Sequence, residues 1–380
     1  MNSAINTIDG CMSSRGGHLY IEECDTVELA REYGTPLFVV SENRIRSNYR
    51  RIYSAFADRW PEGKVHVLPA LKAAPYLAVR RILSQEGAGC DTFGPSELEC
   101  AIVGGTRADL ISINGSVKTR ESIRRGVEIG ARIVIDAPRE LVIAIDEASK
   151  AGKRARIVFR LKPVLEGLQT TSDFHAGSIR DITQRVRYGI PTNEILALGP
   201  IAMAAASHVE ILGFHCHIGR QSIELQVWEC LVANFVKLAA ALCDRWQLRN
   251  WCPLFDFVGG YAPPHDYDTD HERTGQPAPP IEDYAEAMTT AFRSALKEHG
   301  FNPQGITLEL EPGRSMHADT GLHLTTVINI KHSELIEQTW AETDTSEFFV
   351  GTWSMDTSKA PFRFVTANKK IGRASCRERV

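Results

Sequence analysis

The sequence predicts an α/β fold: eight strand-then-helix units closing into a parallel (β/α)8 barrel, with a smaller β domain built from both ends of the chain. Three observations carry this expectation. Short β-branched or apolar runs alternate with helical patterns along most of the chain. Eight such runs are present, and eight repeats suit a closed barrel, with an open doubly wound sheet as the alternative. Further strand-like stretches lie outside the eight units, near both termini.

In chain order, the eight strands are expected at Val65–Ala70, Gly89–Phe93, Leu110–Asn114, Arg132–Asp136, Arg156–Leu161, Val209–His215, Leu254–Val258 and Ile306–Leu310. Helix signals fall between them. Ser96 and Glu99 read as a capping box opening a helix over Glu97–Gly104. Pro138 sits where a first helical turn begins. Trp228, Leu231, Val232, Phe235, Leu238 and Leu242 recur at three- and four-residue steps, the apolar stripe of one long helix. Two loops, Lys162–Glu194 and Tyr261–Glu282, are long and follow the fifth and seventh strands, where barrels of this kind place substrate-facing groups. The flanks carry Leu37–Val40, Leu322–Ile330 and Phe348–Thr352, the material of the small β domain.

Composition narrows the function. The 380 residues are 43% hydrophobic and 24% charged, the balance of a soluble globular protein with a full core. A net charge of −4 offers no basic field for nucleic acid or an anionic membrane. No run of about 18 apolar residues appears, as a membrane span requires. MNSAINTIDGCMSS has neither the basic flank nor the apolar core of a secretory signal. The nine cysteines form no CxxC pair, which suits reduced thiols in a cytoplasmic protein. The closing Ile371–Val380, rich in arginine and without period, reads as translated sequencing adapter, so the natural chain is expected to run on beyond Lys370.

The strand ends hold the candidate chemistry. Lys72 follows the first strand in LPALKAAP, among small and apolar residues. Partial desolvation there would lower its pKa and favour the free, nucleophilic amine. The eighth strand ends in Glu311-Pro312-Gly313-Arg314 and the seventh in Gly259-Gly260. Barrels often bind phosphate at these two ends, through accessible backbone N–H groups and a cation; two tight turns with a surface ion pair are the alternative. His215 and His217 stand at i and i+2 in HCHIG, but no carboxylate or cysteine at ligand spacing in sequence makes them a metal pair, so no metal is expected. Asp266, Asp268 and Asp270 imitate a calcium loop, which His271 and Pro277 break. No P-loop, GxSxG elbow or GxGxxG fingerprint occurs.

From about Gly17 to Ser358 the chain resembles the fold-type III pyridoxal-phosphate decarboxylases, the diaminopimelate decarboxylases above all. The likeness rests on GTPLFVV, ALKA, GCDTFGPSELE, INGSVKT, GFHCHIG, FDFVGG and ELEPGR, in that order. The resemblance implies an alanine racemase-like TIM barrel that binds pyridoxal 5'-phosphate, over residues 41–314. Residues 1–40 and 315–370 would supply a second, incomplete β-barrel domain. It implies that Lys72 carries the cofactor and later moves a proton, that Glu311 faces the pyridine nitrogen, and that His217 stacks on the ring. Gly259, Gly260 and Gly313 would offer N–H groups to the phosphate. Arg314 would add charge to the phosphate or to a substrate carboxylate, and Asp91 and Arg160 match polar positions near the cofactor.

The implied activity is decarboxylation of meso-diaminopimelate to L-lysine, in a cytoplasmic homodimer with shared sites. Ornithine, lysine or arginine as substrate, or a non-catalytic regulatory homologue, are the alternatives. The chain departs from the family pattern at Ala74, Gly94 and Arg220. One glycine of the usual three is also lost, at Val258 or Tyr261 depending on register. The family's C-terminal cysteine motif and tyrosine have no match in residues 315–370, so the fragment is expected to turn over weakly.

Overall fold

β-Branched and apolar residues at the expected positions do form strands. The computed structural model describes residues 10–168, 184, 186–217, 222–248, 251, 253–263, 278–346 and 365–368. The strands in chain order begin with β1 (Met12–Arg15), β2 (His18–Ile21), β3 (Cys24–Asp25) and β4 (Leu37–Val40). Next come β5 (Val65–Val67), β6 (Cys90–Thr92), β7 (Ile111–Ile113), β8 (Arg132–Ile135), β9 (Ala155–Arg160), β10 (Val209–His215), β11 (Leu254–Asp256) and β12 (Leu308–Leu310). The last are β13 (Gly321–Leu324), β14 (Val327–Ser333) and β15 (Gln338–Thr343). The chain divides into two units, one over Arg46–Pro264 and Pro277–Met316, the other from the two ends together with His265–Gln276.

The larger unit is the barrel. Its eight strands run in the order β5-β12-β11-β10-β9-β8-β7-β6, and every pairing is parallel. The two end strands meet through a parallel bridge between Ala70 and Asp91 and through the Gly89 N–H on the Val67 carbonyl, at 3.0 Å. All eight expected strands are present. Several are shorter than expected because their carboxyl ends leave the ladder to form the rim.

Alternation along a strand sends every second side chain into the closed interior. Arg132 on β8 pairs with Glu309 on β12, which is not its neighbour in the sheet, so the contact crosses that interior. Outside the strands, helices cover the barrel with apolar faces. The helix Leu225–Arg245 buries Trp228, Leu231, Val232, Phe235 and Leu242, while Leu238 is half-buried. It is long and apolar enough by composition to cross a membrane. Its packed face accounts for that: Phe235 meets Phe255 and Phe257 edge-on at 5.5 Å each. Full burial of each such ring contributes about 1.5–3 kcal/mol.

Pro138 begins the helix Pro138–Ala151 as expected, and Gly152 ends it in a left-handed conformation. The capping box is a correction. That helix runs Pro95–Val103 from an N-cap at Gly94, with no side-chain cap. Glu97, not Glu99, reaches back to accept the Phe93 N–H at 2.8 Å, because Pro95 fixes the first turn one residue earlier. Glu99 instead pairs with Arg125 on the surface.

The smaller unit joins both ends of the chain. β4 and β13 pair antiparallel, Leu37 opposite Leu324 and Val40 opposite Gly321. β1, β2 and β3 form a meander, and β14 and β15 a hairpin. The single strand expected over Leu322–Ile330 is broken at Thr325 and Thr326. There the Asp344 carboxylate accepts the Thr325 hydroxyl at 2.6 Å and the Thr326 N–H at 2.9 Å, drawing the backbone out of the ladder. The expected strand Phe348–Thr352 and the adapter-like Ile371–Val380 lie outside the described residues.

Candidate functional site

At the carboxyl ends of the barrel strands, the last inward-facing residues converge. β12 delivers Glu311, β11 Asp256, β10 His215 and β6 Asp91, and the turn after β7 adds Asn114; all five are almost wholly buried. The Asn114 amide joins two of the carboxylates, donating to Glu311 Oε1 at 2.8 Å and to Asp91 Oδ1 at 2.7 Å. Asp256 hydrogen-bonds to the Glu311 side chain, and His215 Nε2 lies 3.6 Å from Glu311 Oε2.

Crowding sets the protonation states. Burial, then the Glu311 charge, raises the Asp91 carboxyl well above its ordinary range. The same two causes push Asp256 up to about 7. Glu311 is raised by burial as well, against the hydrogen bonds from Asp256 and Asn114 and the Lys72 charge. Burial drives His215 down to about 3, so its ring is neutral near pH 7.

Lys72 lies in a short 3-10 turn, Leu71–Ala73, directly after β5, the neighbour of β12. The expected desolvation is corrected: the side chain is exposed, because the turn lifts it to the barrel mouth. Its Nζ stands 3.9 Å from the centroid of the Phe93 ring, a cation–π contact.

The glycines divide by role. A Cβ on Gly259 would come 2.1 Å from the Glu311 carbonyl oxygen, so this glycine lets the ends of β11 and β12 approach. Gly260 has φ +92° and Val258 φ +58°, both in the left-handed region that favours glycine. The missing glycine of the run therefore corresponds to Val258. Tyr261 is buried and stacks on Trp228 at 4.8 Å. A Cβ on Gly313 would make only ordinary contacts with Ala73 and Ala70, at 3.5 and 3.7 Å.

Arg314 is exposed, and His217 is half-buried just past the end of β10. Arg160 is buried at the end of β9, with Nε 3.5 Å from Asp136 Oδ1 and its guanidinium 5.0 Å from the Tyr188 ring centroid. Arg220 and the calcium-like Asp266–Asp270 lie outside the described residues.

Lys72, Asp91 and Glu311, far apart in sequence, are thus brought together, whereas Arg160 is bound first to Asp136. Asn114, Asp256 and Phe93 escaped the sequence reading as site residues, although they lie in INGSVKT, FDFVGG and GCDTFGPSELE. The signal was strand parity: each is at or just past the last inward position of its strand. His215, Asp256 and Glu311 also bring ligand atoms within 4.8 Å of one another, a spacing that a metal ion could bridge. The Asp256–Glu311 hydrogen bond accounts for that spacing without one.

The comparisons agree with this geometry. A family model described as pyridoxal-dependent decarboxylase, pyridoxal binding domain, matches residues 42–318. The diaminopimelate decarboxylase of Methanothermobacter thermautotrophicus is 31% identical over 317 residues, covering 83% of this chain and 68% of that one. That of Archaeoglobus fulgidus is 30% identical over 319 residues, covering 84% and 70%. The crystal structure of diaminopimelate decarboxylase from M. jannaschii superposes with a TM-score of 0.76 at 27% identity, covering 89% of this chain and 74% of that one. With its barrel, its lysine after the first barrel strand and its buried glutamate after the eighth, the chain belongs to the pyridoxal-dependent decarboxylases.

Proposed function

We propose that this protein decarboxylates meso-diaminopimelate to L-lysine at the Lys72–Glu311 rim, with pyridoxal 5'-phosphate as cofactor. The observation that carries the reading is the pair itself. An accessible amine and a buried carboxyl stand at the ends of neighbouring strands, in a chain about a third identical to diaminopimelate decarboxylases.

The residues present fit the cofactor. Asn114 Oδ1 and Ser315 Oγ are buried without hydrogen-bond partners among the described residues, so the rim keeps polar capacity to spare. Glu311 forms no ion pair with lysine or arginine among the described residues, as a partner for a protonated ring nitrogen should not. When bound, pyridoxal phosphate supplies a ring that accepts the electron pair released as carbon dioxide leaves.

Lys72 holds the cofactor through its amine and afterwards moves a proton at Nζ. Glu311 holds the proton on the ring nitrogen, and His217 sets the tilt of the ring. Gly260 and Gly313 offer backbone N–H groups to the phosphate, Gly259 joining them through its own N–H while its bare Cα lets Glu311 approach. Arg314 adds charge for the phosphate or a substrate carboxylate. Asp91 orients Asn114, and Arg160 lends positive charge from the flank.

The reading extends to the assembly. Residues 41–314 form the cofactor barrel, 1–40 and 315–370 belong to the β domain, and two chains share their sites in a cytoplasmic homodimer. The seven described cysteines are all free, which suits a reducing compartment. The test is carbon dioxide release from meso-diaminopimelate, ornithine, lysine and arginine by the cofactor-loaded protein, with sedimentation for the dimer. Turnover of meso-diaminopimelate above the other three is expected; turnover of ornithine with none of diaminopimelate overturns the substrate.

A further inference from the structure

Asp256 has no role in the reading above, yet it is tied to Glu311 through both side chain and backbone. It ends β11, the strand beside β12. Its Oδ1 accepts the Val258 N–H at 2.8 Å, and the Val258 carbonyl accepts the Glu311 N–H at 2.6 Å. One residue, held in a left-handed conformation that its branched side chain disfavours, therefore ties the Asp256 side chain to the Glu311 backbone. Strain kept at such a point marks an over-determined geometry.

We infer that Asp256 is a positioning residue that keeps its own proton and donates it in a hydrogen bond to Glu311, so that Glu311 stands ionised and fixed behind the cofactor ring nitrogen. Two carboxylates in direct contact inside a closed barrel cannot both ionise. Of the two, Glu311 is the better placed to carry the charge. Its Oε1 accepts the Asn114 amide, and the Lys72 and Arg160 charges favour its ionised form. Among the described residues, the charged and titratable groups facing the pair are Lys72, Asp91, Arg132, Arg160, His215, Cys216 and Tyr261; burial raises the Cys216 thiol and the Tyr261 hydroxyl, so both are neutral near pH 7. His215 is neutral there, so it brings no positive charge to Glu311. The hydrogen bond from Asp256 is charge-assisted and correspondingly strong.

This inference rests on the cofactor reading for its consequence but not for its first test. Infrared difference spectra of the cofactor-free protein near neutral pH should contain a neutral carboxylic acid band that shifts with [4-13C]aspartate labelling. That band should be absent from D256N. Asp91, raised by burial, adds an acid band of its own that D91N removes. If no aspartate-sensitive band is lost in D256N, or the band that is lost follows glutamate labelling, the assignment is overturned, since Asp91 or Glu311 would then hold the proton. One tightly held zinc per chain, lost in D256N, would overturn it too.

In the loaded protein, D256N keeps an N–H donor and should hold pyridoxal phosphate within about threefold of wild type, while D256A should bind it about 10- to 100-fold more weakly. The ring-15N resonance of the bound cofactor should report a protonated nitrogen in wild type and D256N and a loss of protonation in D256A. Equal behaviour of D256N and D256A overturns the donor role. If the variants do not fold, the isotope-labelled wild type still decides. Failure of the cofactor to bind Lys72 would sink the decarboxylase reading while leaving the infrared result standing.

Discussion

Glu309 and Glu311 stand two residues apart along the same strand end, both almost wholly buried, yet their surroundings differ. Glu309, on the barrel floor, forms an ion pair with the buried Arg132 and accepts His66 Nδ1 at 2.8 Å. Burial pushes His66 down to about 4, so that second contact is a neutral hydrogen bond near pH 7 rather than an ion pair. Glu311, on the rim, is held by an amide and a protonated carboxyl, with a neutral imidazole 3.6 Å away. The difference separates structure from chemistry. A carboxylate neutralised by a fixed guanidinium has no further task, whereas one held by neutral donors can still meet a positive charge brought in by a cofactor.

Five substitutions break or sharpen this contrast. The largest effect belongs to Lys72: K72A should lower carbon dioxide release by at least about a thousandfold, through loss of both attachment and proton transfer. Its unfolding midpoint should not move, since the side chain is exposed. A K72A protein with a tenth of normal turnover would contradict the role.

Next, R132M leaves Glu309 buried with only the neutral His66 for a partner, and should cost about 3–5 kcal/mol of stability. E311Q should do the reverse. It should cut turnover by about a hundredfold or more while costing less than about 1 kcal/mol, because it relieves a crowded carboxyl cluster. Denaturant unfolding and turnover measured on both proteins compare floor with rim directly; equal stability losses would erase the distinction.

A pH series isolates Asp256. Its folded-state pKa, about 7, lies above the ordinary 3.8, so the native state binds more protons than the unfolded chain between those values. Its contribution to stability is therefore full below about pH 4 and is lost as pH rises towards 7. His215, depressed to about 3, acts in the opposite sense, adding stability as pH rises through 6.5. Wild type and D256N both keep His215, so their difference should chiefly follow Asp256 and the groups it touches, with D256N gaining on wild type between pH 4 and pH 7. A flat difference would contradict it.

The smallest effect is at Val258. V258G relieves a left-handed β-branched residue by about 1–2 kcal/mol but removes a buried side chain worth a similar amount. Its stability should stay within about 1 kcal/mol of wild type; a loss of 3 kcal/mol would show that no strain is held there.

Much of this was legible in the sequence. The eight barrel strands, the pairing of the two ends and the placing of Lys72 and Glu311 at strand ends all follow from period and chain order. Asp256, Asn114 and Phe93 were not legible as site residues, because their partners are set by the closure of the barrel. Asn114 meets Glu311 197 positions away, a contact no local pattern encodes. The helix start at Pro95 was misplaced because a backbone constraint outweighed a side-chain cap. The exposure of Lys72 was missed because its neighbours in sequence are apolar while its turn faces outward.

The central claim is that Lys72, opposite Glu311, holds the cofactor. Borohydride reduction of the pyridoxal phosphate-loaded protein, followed by mass mapping of its peptides, tests it most directly. The account predicts one reduced cofactor per chain, on the peptide containing Lys72. Attachment to another lysine such as Lys118, or none at all, would contradict it.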